Sequence, residues 1–481
     1  MSFESLVVTI NDFVWGLPLV ILALGTGIYF SVRTGFLQIR FLKEMVRLLL
    51  KGKESEKGVS SFQAFTIAIS GRVGTGNIAG VATAIALGGP GAIFWMWVIA
   101  FLGASSAYVE ATLGQIYKQV VNGEYRGGPS YYIEKGLGMK WYAVAFSIAT
   151  MLSMTFFLPA VQSQSISNGM ETAFNIPPLY TGIAVAAGLA LVIFGGVKRI
   201  GHVAQVIVPF MAIGYILMAV VIIAINIAHV PDVVMLIINS ALGMEQAFGG
   251  IVGIAIIAGV KRGIFSNEAG QGTAPHAAAA AEVSHPAKQG LVQAFSVYID
   301  TLFVCTATAF MILFTGQYNV VDPNVAGGFL MQNIPADVSG PGFTQFAVES
   351  EFQGFGHGFV AISLLFFVFT TLMAYYYMAE TNITYLDQNG KHKWLINVLR
   401  VITLATIIYA TSVESGPAWQ LGDIGVGIMA WLNIIAILLL QRPALKALKD
   451  YHRQKKEGKD PVFDPRALGI KNADYWVNKD K

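Results

Sequence analysis

The chain is short of charge. Of its 481 residues 12% are Asp, Glu, Lys or Arg and 55% are hydrophobic, where a soluble domain carries about 25% charge. That much polar surface does not cover a chain of this size in water, so a polytopic membrane protein is expected. Cysteine is scarcer still. Cys305 is alone and lies in an apolar segment, which excludes an internal disulfide and says nothing of redox compartment. The N-terminus MSFESLVVTINDFVWGLPLV lacks a basic region and a small-residue cleavage site, so no removable signal peptide is expected. The apolar segments do not alternate with polar residues, which argues against a porin-type barrel. Enzyme signatures are missing too: there is no Gly-x-Ser-x-Gly, His-Glu-x-x-His or Walker loop.

What is present is a succession of apolar runs, at about 14–32, 62–87, 91–118, 141–168, 178–197, 201–228, 244–262, 288–315, 355–386, 394–412 and 417–441. Each is long enough for a span, which predicts eleven. Lys and Arg mark every second connection: Arg33 to Lys57, Lys118 to Lys140, Lys198 and Arg199, Lys261 to Lys288, Lys391 and Lys393, and the tail from Arg442. The alternate connections have none, and the long one at about 316–354 carries only acids. By the positive-inside rule the N-terminus is expected outside and the C-terminus in the cytoplasm. The stretch RTGFLQIRFLKEMVRLLLKGK reads as an amphipathic connector on the cytoplasmic face.

One span is spoiled in its middle. AISGRVGTGNIAG places Gly71, Arg72, Gly74, Gly76 and Asn77 at mid-bilayer depth. An interior Gly costs about 1 kcal/mol against Ala, so local unwinding is expected, and unwound backbone is tolerated only when buried in protein or lining a cavity. A second Gly-rich span, EQAFGGIVGIAIIAGVKRGIF, carries Gly249, Gly250, Gly253 and Gly259. With the first span set aside, the two breaks head two groups of five, the second necessarily inverted. Interrupted segments in corresponding positions point to a transporter binding site, whereas a channel needs a continuous polar path. Glycine that merely lets helices pack closely is the alternative.

SGRVGTGNIAGVATAIALGGPGAIFWMW, GIFSNEAGQGTAPHAAAAAEVSHPAKQG and the tail PVFDPRALGIKNADYW resemble the signatures of the alanine/glycine:cation symporters. The resemblance covers nearly the whole chain. It implies an all-α polytopic protein of the leucine-transporter (LeuT-type) fold, with one N-terminal helix added to a five-plus-five inverted repeat. The divisions would be 1–60 (first helix and connector), 61–230 and 231–442 (the repeats) and 443–481 (a basic cytoplasmic tail). It also implies uptake of alanine or glycine across a bacterial or archaeal cytoplasmic membrane, coupled to Na⁺ with H⁺ as the lesser alternative and no organic cofactor. Another neutral amino acid, such as glutamine or serine, stays open.

A zwitterion needs a positive and a negative environment close together, and a discontinuous helix supplies both. Gly74, Thr75, Gly76 and Asn77 are therefore expected to meet the substrate. In TFFLPAVQSQSISNG one of Gln162 and Gln164 is expected to face the pocket, with Gln162 preferred. Phe248 beside Gly249, and Tyr375, are lid candidates, with plain packing as the alternative. Tyr375 follows Ala374 where the family often has Gly-Trp, which bears on pocket size. By resemblance Na⁺ would sit between the carbonyls of Ser70, Val73 and Phe367 and the hydroxyls of Thr370 and Thr371; bonding of each Thr to its own preceding turn is the alternative. Arg72 is a charge at mid-depth and should pair or face water. Asp300, Asp423 and Glu110 are its candidate partners, in a gate or in a permanent ion pair. Ser266 or Asn267 is expected to cap a short helix, and His276 and His285 are expected to be solvated loop residues.

Overall fold

A computed structural model describes residues 3–50, 58–388 and 390–478. The chain is mostly helical. Among the described residues eight helices are long and apolar enough to cross a membrane: Ser5–Arg33, Gly91–Ile116, Lys140–Phe174, Gly196–Ile225, Gly249–Asn267, Pro286–Thr315, Gly356–Leu386 and Ser415–Leu439. Gly76–Gly88, Pro178–Ile193, Ile227–Ala241 and Trp394–Ala410 are shorter apolar helices. The amphipathic connector is helical over Leu37–Arg40 and Leu42–Leu50. The strands form two small hairpins, Gln119–Val121 with Glu124–Arg126 in the register Val120↔Tyr125, and Asn319–Val321 with Phe329–Gln332, bulged after Val320.

The helix beginning at Ser61 is set by a capping box. Ser60 Oγ accepts from Gln63 N at 3.1 Å, and Gln63 Oε1 accepts from Ser60 N at 3.0 Å, so two orphan donors are satisfied reciprocally. It ends at Arg72, because Val73 turns extended (φ −77°, ψ 91°). After Gly74 and Thr75 the chain winds again, first as a wide π turn over Gly76–Gly80 and then as Val81–Gly88.

The core lies around two helices. Every residue from Gly103 to Ile116 in one, and from Thr370 to Tyr385 in the other, is buried. The outer surface is apolar: Leu191, Phe210, Val401 and Tyr409 are all more than half exposed, as helices facing lipid require.

The second break is not where the glycine count put it. Gly253 and Gly259 lie inside a continuous helix, Val252–Asn267, with a single 3₁₀ turn at Gly249–Ile251 before it. The chain unwinds later, at Glu268–Thr273, and re-forms a helix at Ala274–Ala280. Gly259 and Gly263 serve packing instead: a Cβ on either would collide with the helix Gly91–Ile116, at Ala92 and Trp95 for one and Ile99 for the other.

The two histidines are buried rather than solvated. His276 Nδ1 bonds Thr273 O at 3.0 Å and its Nε2 meets Asn382 Nδ2 at 2.9 Å. His285 Nδ1 accepts from Ala287 N at 3.1 Å, and its Nε2 faces Asp450 at 3.3 Å. The tail closes over this region. Phe463 and Trp476 are buried, and Lys118 Nζ lies 4.4 Å and 4.6 Å from the ring centres of Tyr125 and Tyr475.

Candidate substrate and cation site

The first break gathers side chains from three other helices. Gly74 has no room for a Cβ, which would stand 2.5 Å from Thr371 Oγ1 and 3.0 Å from Gln162 Oε1. Its N–H donates to Asn77 Oδ1 at 2.9 Å. Thr75 donates twice to Gln162 Oε1, from N at 3.0 Å and from Oγ1 at 2.8 Å. Tyr375, on Gly356–Leu386, lies beside the same Gln162. Gly76 lies against Ser266, whose Cα would be 3.2 Å from an added Cβ. The N–H groups of Gly74 and Thr75, at the opening of the second half-helix, thus go to two side-chain oxygens, Asn77 Oδ1 and Gln162 Oε1, at a helix N-terminus of the kind that favours an anionic group.

Below them lie carbonyl and hydroxyl oxygens. Thr371 Oγ1 donates to Phe367 O at 2.8 Å and lies 3.2 Å from Val73 O, the last carbonyl before the break. Three oxygens from two helices are thus close together, the donor type a hard cation takes. Thr370 also bonds Phe367 O, at 3.0 Å, but its hydroxyl faces Met211 Sδ at 3.6 Å. The Ser70 hydroxyl is occupied by Thr66 O at 2.8 Å. Both threonines do bond their own preceding turn; Thr371 alone of the two also reaches the break.

Asp300 builds the far wall. It lies on a π-helical stretch, Tyr298–Cys305. Its Oδ1 accepts from Asn77 Nδ2 at 2.6 Å, and its Oδ2 accepts from Ser266 Oγ at 2.9 Å and Thr301 Oγ1 at 2.7 Å. Fixing the Asn77 amide this way turns Oδ1 toward Gly74 N. Sequence reasoning saw an acid in an apolar span but paired it with Arg72. Ser266 and Thr301 were missed as its partners, and their only signal is being polar beside that depth.

The second break is held by Glu110. Its Oε1 accepts from Gly270 N at 3.3 Å and its Oε2 from Gly272 N at 3.1 Å. Asn433 Nδ2 adds a bond to Glu110 Oε2 at 2.7 Å and one to Gly270 O at 2.9 Å. Gly270 (φ +83°) and Gly272 (φ +88°) adopt the left-handed backbone this turn requires. Two interrupted helices therefore pass side by side, each pinned by a buried carboxylate.

The sodium:alanine symporter family model matches residues 1–465. This chain belongs to that family. A sodium/proton-dependent alanine carrier protein of Bacillus sp. (strain PS3) is 53% identical over 434 residues, 90% of this chain and 97% of the relative. A Bacillus subtilis (strain 168) protein named as a probable sodium/glutamine symporter, GlnT, is 48% identical over 481 residues, 99% and 97% of the two chains. Among solved structures, an outward-open Na⁺-coupled sialic acid symporter aligns with a TM-score of 0.54 at 13% identity, over 97% of this chain and 96% of that one. That likeness establishes the fold as the leucine-transporter type. The protein is a membrane-embedded symporter family member and not an enzyme.

Within this symporter several expected members stand apart. Phe248 packs on Gly89 at the far end of Val81–Gly88, in a separate apolar cluster with Ile85 and Ala92. It and the adjoining Gly249 are a helix length from Gly74, so neither forms a lid there. Gln164 follows Gln162 by two positions, which points it to another helix face. Arg72 pairs with none of its three candidates. Its Nη1 donates to Gln293 O at 3.2 Å and to Ser296 Oγ, and no carboxylate oxygen among the described residues lies within 4.0 Å of it. Asp423 instead binds Arg262 twice, at 2.7 Å and 2.9 Å, and Lys261 at 2.8 Å. An acid that close to two cations has no charge to spare for a third. Ser266 and Asn267 do not cap Ala274–Ala280; Asn267 Oδ1 accepts from Ala269 N at 3.0 Å inside the break.

Proposed function

We propose that this protein imports a small neutral amino acid, alanine or glycine, together with Na⁺, by alternating access around the first break. The observation that carries the reading is the adjacency of two donor sets in one interruption. The N–H groups of Gly74 and Thr75, held here by the Asn77 and Gln162 side-chain oxygens, suit a carboxylate that takes the place of those oxygens, and the oxygens of Val73, Phe367 and Thr371 suit the cation beside them. Gly76, Asn77, Gln162 and Tyr375 complete the substrate side, and Asp300 positions Asn77. The family membership and the alanine carrier named above support alanine; the glutamine symporter's similarity keeps glutamine as the second reading.

The architecture in this proposal is eleven spans, one N-terminal helix followed by two inverted groups of five over 61–230 and 231–442. The tail 443–481 lies in the cytoplasm and the N-terminus outside, in a bacterial or archaeal cytoplasmic membrane. The alternation of Lys and Arg between loops supports that orientation. The test is uptake of labelled alanine, glycine, serine and glutamine into proteoliposomes under separately imposed Na⁺ and H⁺ gradients. Alanine or glycine should accumulate under the inward Na⁺ gradient and be displaced by excess unlabelled substrate. If neither moves under either gradient the substrate reading is wrong, and glutamine accumulation alone would install the second one.

A further inference from the structure

We propose that Glu268 is a proton-carrying site of this transporter, separate from the Val73–Thr371 oxygens, and that Arg72 is the group that expels the proton. The inference rests on the symporter reading above. Glu268 is the first residue of the second break and has a left-handed backbone, φ +56°. It is 2% exposed, and its Oε1 has no hydrogen-bond partner. Its Oε2 reaches the first broken helix, 3.3 Å from where a Cβ on Gly71 would stand. The next residue there is Arg72, also 2% exposed, with Nε and Nη2 both without partners. A buried acceptor and two buried donors are thus left unmatched on neighbouring elements, although buried polar groups normally find partners.

The other groups facing Glu268 sharpen the choice. They are Glu110 from Gly91–Ile116, Asp300 from Tyr298–Cys305, Tyr375 from Gly356–Leu386, the hydroxyl of Thr273 at the end of the same break, which has no hydrogen-bond partner of its own, and Arg72 itself. Glu110 and Asp300 each accept from three separate groups, so their oxygens are already matched with donors. Glu268 alone keeps an oxygen with no donor, so it is the carboxyl that gains from a proton.

The cycle balances without any redox step. Water in the more acidic compartment delivers H⁺, and an O–H bond forms at Glu268 Oε1. When the half-helices rearrange and the Arg72 guanidinium turns to Glu268, that O–H bond breaks, an ion pair takes its place, and the proton leaves to water on the other side. Glu268 opens the second break and Gly71 lies in the last turn before the first, so relative motion of the two elements changes the Glu268–Arg72 separation directly.

The test uses the full-length protein in proteoliposomes with a trapped pH dye and equal Na⁺ on both sides. Adding alanine should acidify the lumen in the wild type. Glu268→Gln, which mimics the protonated acid, should abolish that acidification and lower accumulation driven by a pH gradient at least tenfold, while alanine–alanine exchange continues. Glu268→Asp should keep proton uptake with a displaced pH dependence, and it decides the matter if the Gln variant fails to reach the membrane. Alanine-evoked acidification surviving in Glu268→Gln, or an unshifted pH profile in Glu268→Asp, overturns the proposal. So does a wild type that takes up alanine on Na⁺ with no proton movement, which leaves the symporter reading standing. Absence of both Na⁺-driven uptake and exchange in the wild type would instead sink that reading.

Discussion

Gly74 is the residue on which the site geometry is most exacting. A single methyl would meet Thr371 Oγ1 and Gln162 Oε1 at once, and both atoms are already engaged. Gly74→Ala should therefore displace the break by a fraction of an ångström and lower the uptake rate by about a hundredfold, as small misplacements of binding groups do, with the protein still present in the membrane. Uptake at the wild-type rate would show that Gly74 is not at the site. This residue was legible in the sequence, because close packing alone does not call for an arginine and an asparagine among three glycines at mid-depth. Asp300 was legible only as an anomaly. Its partners Asn77 and Ser266 come from two other segments, whose meeting with it is set by tertiary packing, and Thr301 is its chain neighbour.

At the scale of elements, the broken helices show why glycine is an ambiguous sign. Gly259 and Gly263 let one helix lie against Gly91–Ile116, whereas Gly270 and Gly272 let the backbone turn left-handed. Composition alone does not separate the two uses; the second break was consequently placed one helix too early. The helix Val252–Asn267 is tied to Ser415–Leu439 by Arg262 and Lys261 on Asp423. Asp423→Asn leaves the buried Arg262 and the part-buried Lys261 without their acid, and removing one partner of a buried pair typically costs about 3–5 kcal/mol. The melting temperature in detergent should fall, and Arg262→Met in the same chain should restore part of it. No restoration would mean that Asp423 acts through something other than this pair.

The tail is anchored to the helix Pro286–Val297 through His285. Burial pushes its ring down to about 4 from the usual 6.5, against the opposing pull of Asp450. The unfolded chain then binds a proton that the folded one refuses, so the contribution is complete above 6.5 and is lost as pH falls from 6.5 toward 4. Thermal unfolding followed across that window should show a shallower pH slope in His285→Asn than in the wild type. Equal slopes would remove His285 from the account.

For the whole molecule, the low charge content and the long apolar runs carried the membrane class. What they did not reveal was the compactness of the ends and loops. The hairpins, the helix Pro341–Glu351 and the packed tail are built from short, mixed segments whose burial depends on distant partners. The proposed topology has a direct check. Cys305 is buried, so a cysteine introduced at exposed Val325 should react with an impermeant thiol reagent in intact cells. One at exposed Val462 should react only after the membrane is opened. The reverse pattern would invert the orientation.

The central claim is that cation and amino acid share one break, so each must strengthen the other's binding reciprocally. The most direct measurement is the affinity of the purified protein for alanine with and without Na⁺, in the wild type and in Thr371→Ala. The account predicts that Na⁺ tightens alanine binding at least tenfold in the wild type, a coupling of about 1.4 kcal/mol, and that Thr371→Ala loses the effect while Thr371→Ser keeps it. Alanine affinity that is the same with and without Na⁺, or a Na⁺ effect unchanged in Thr371→Ala, would contradict it.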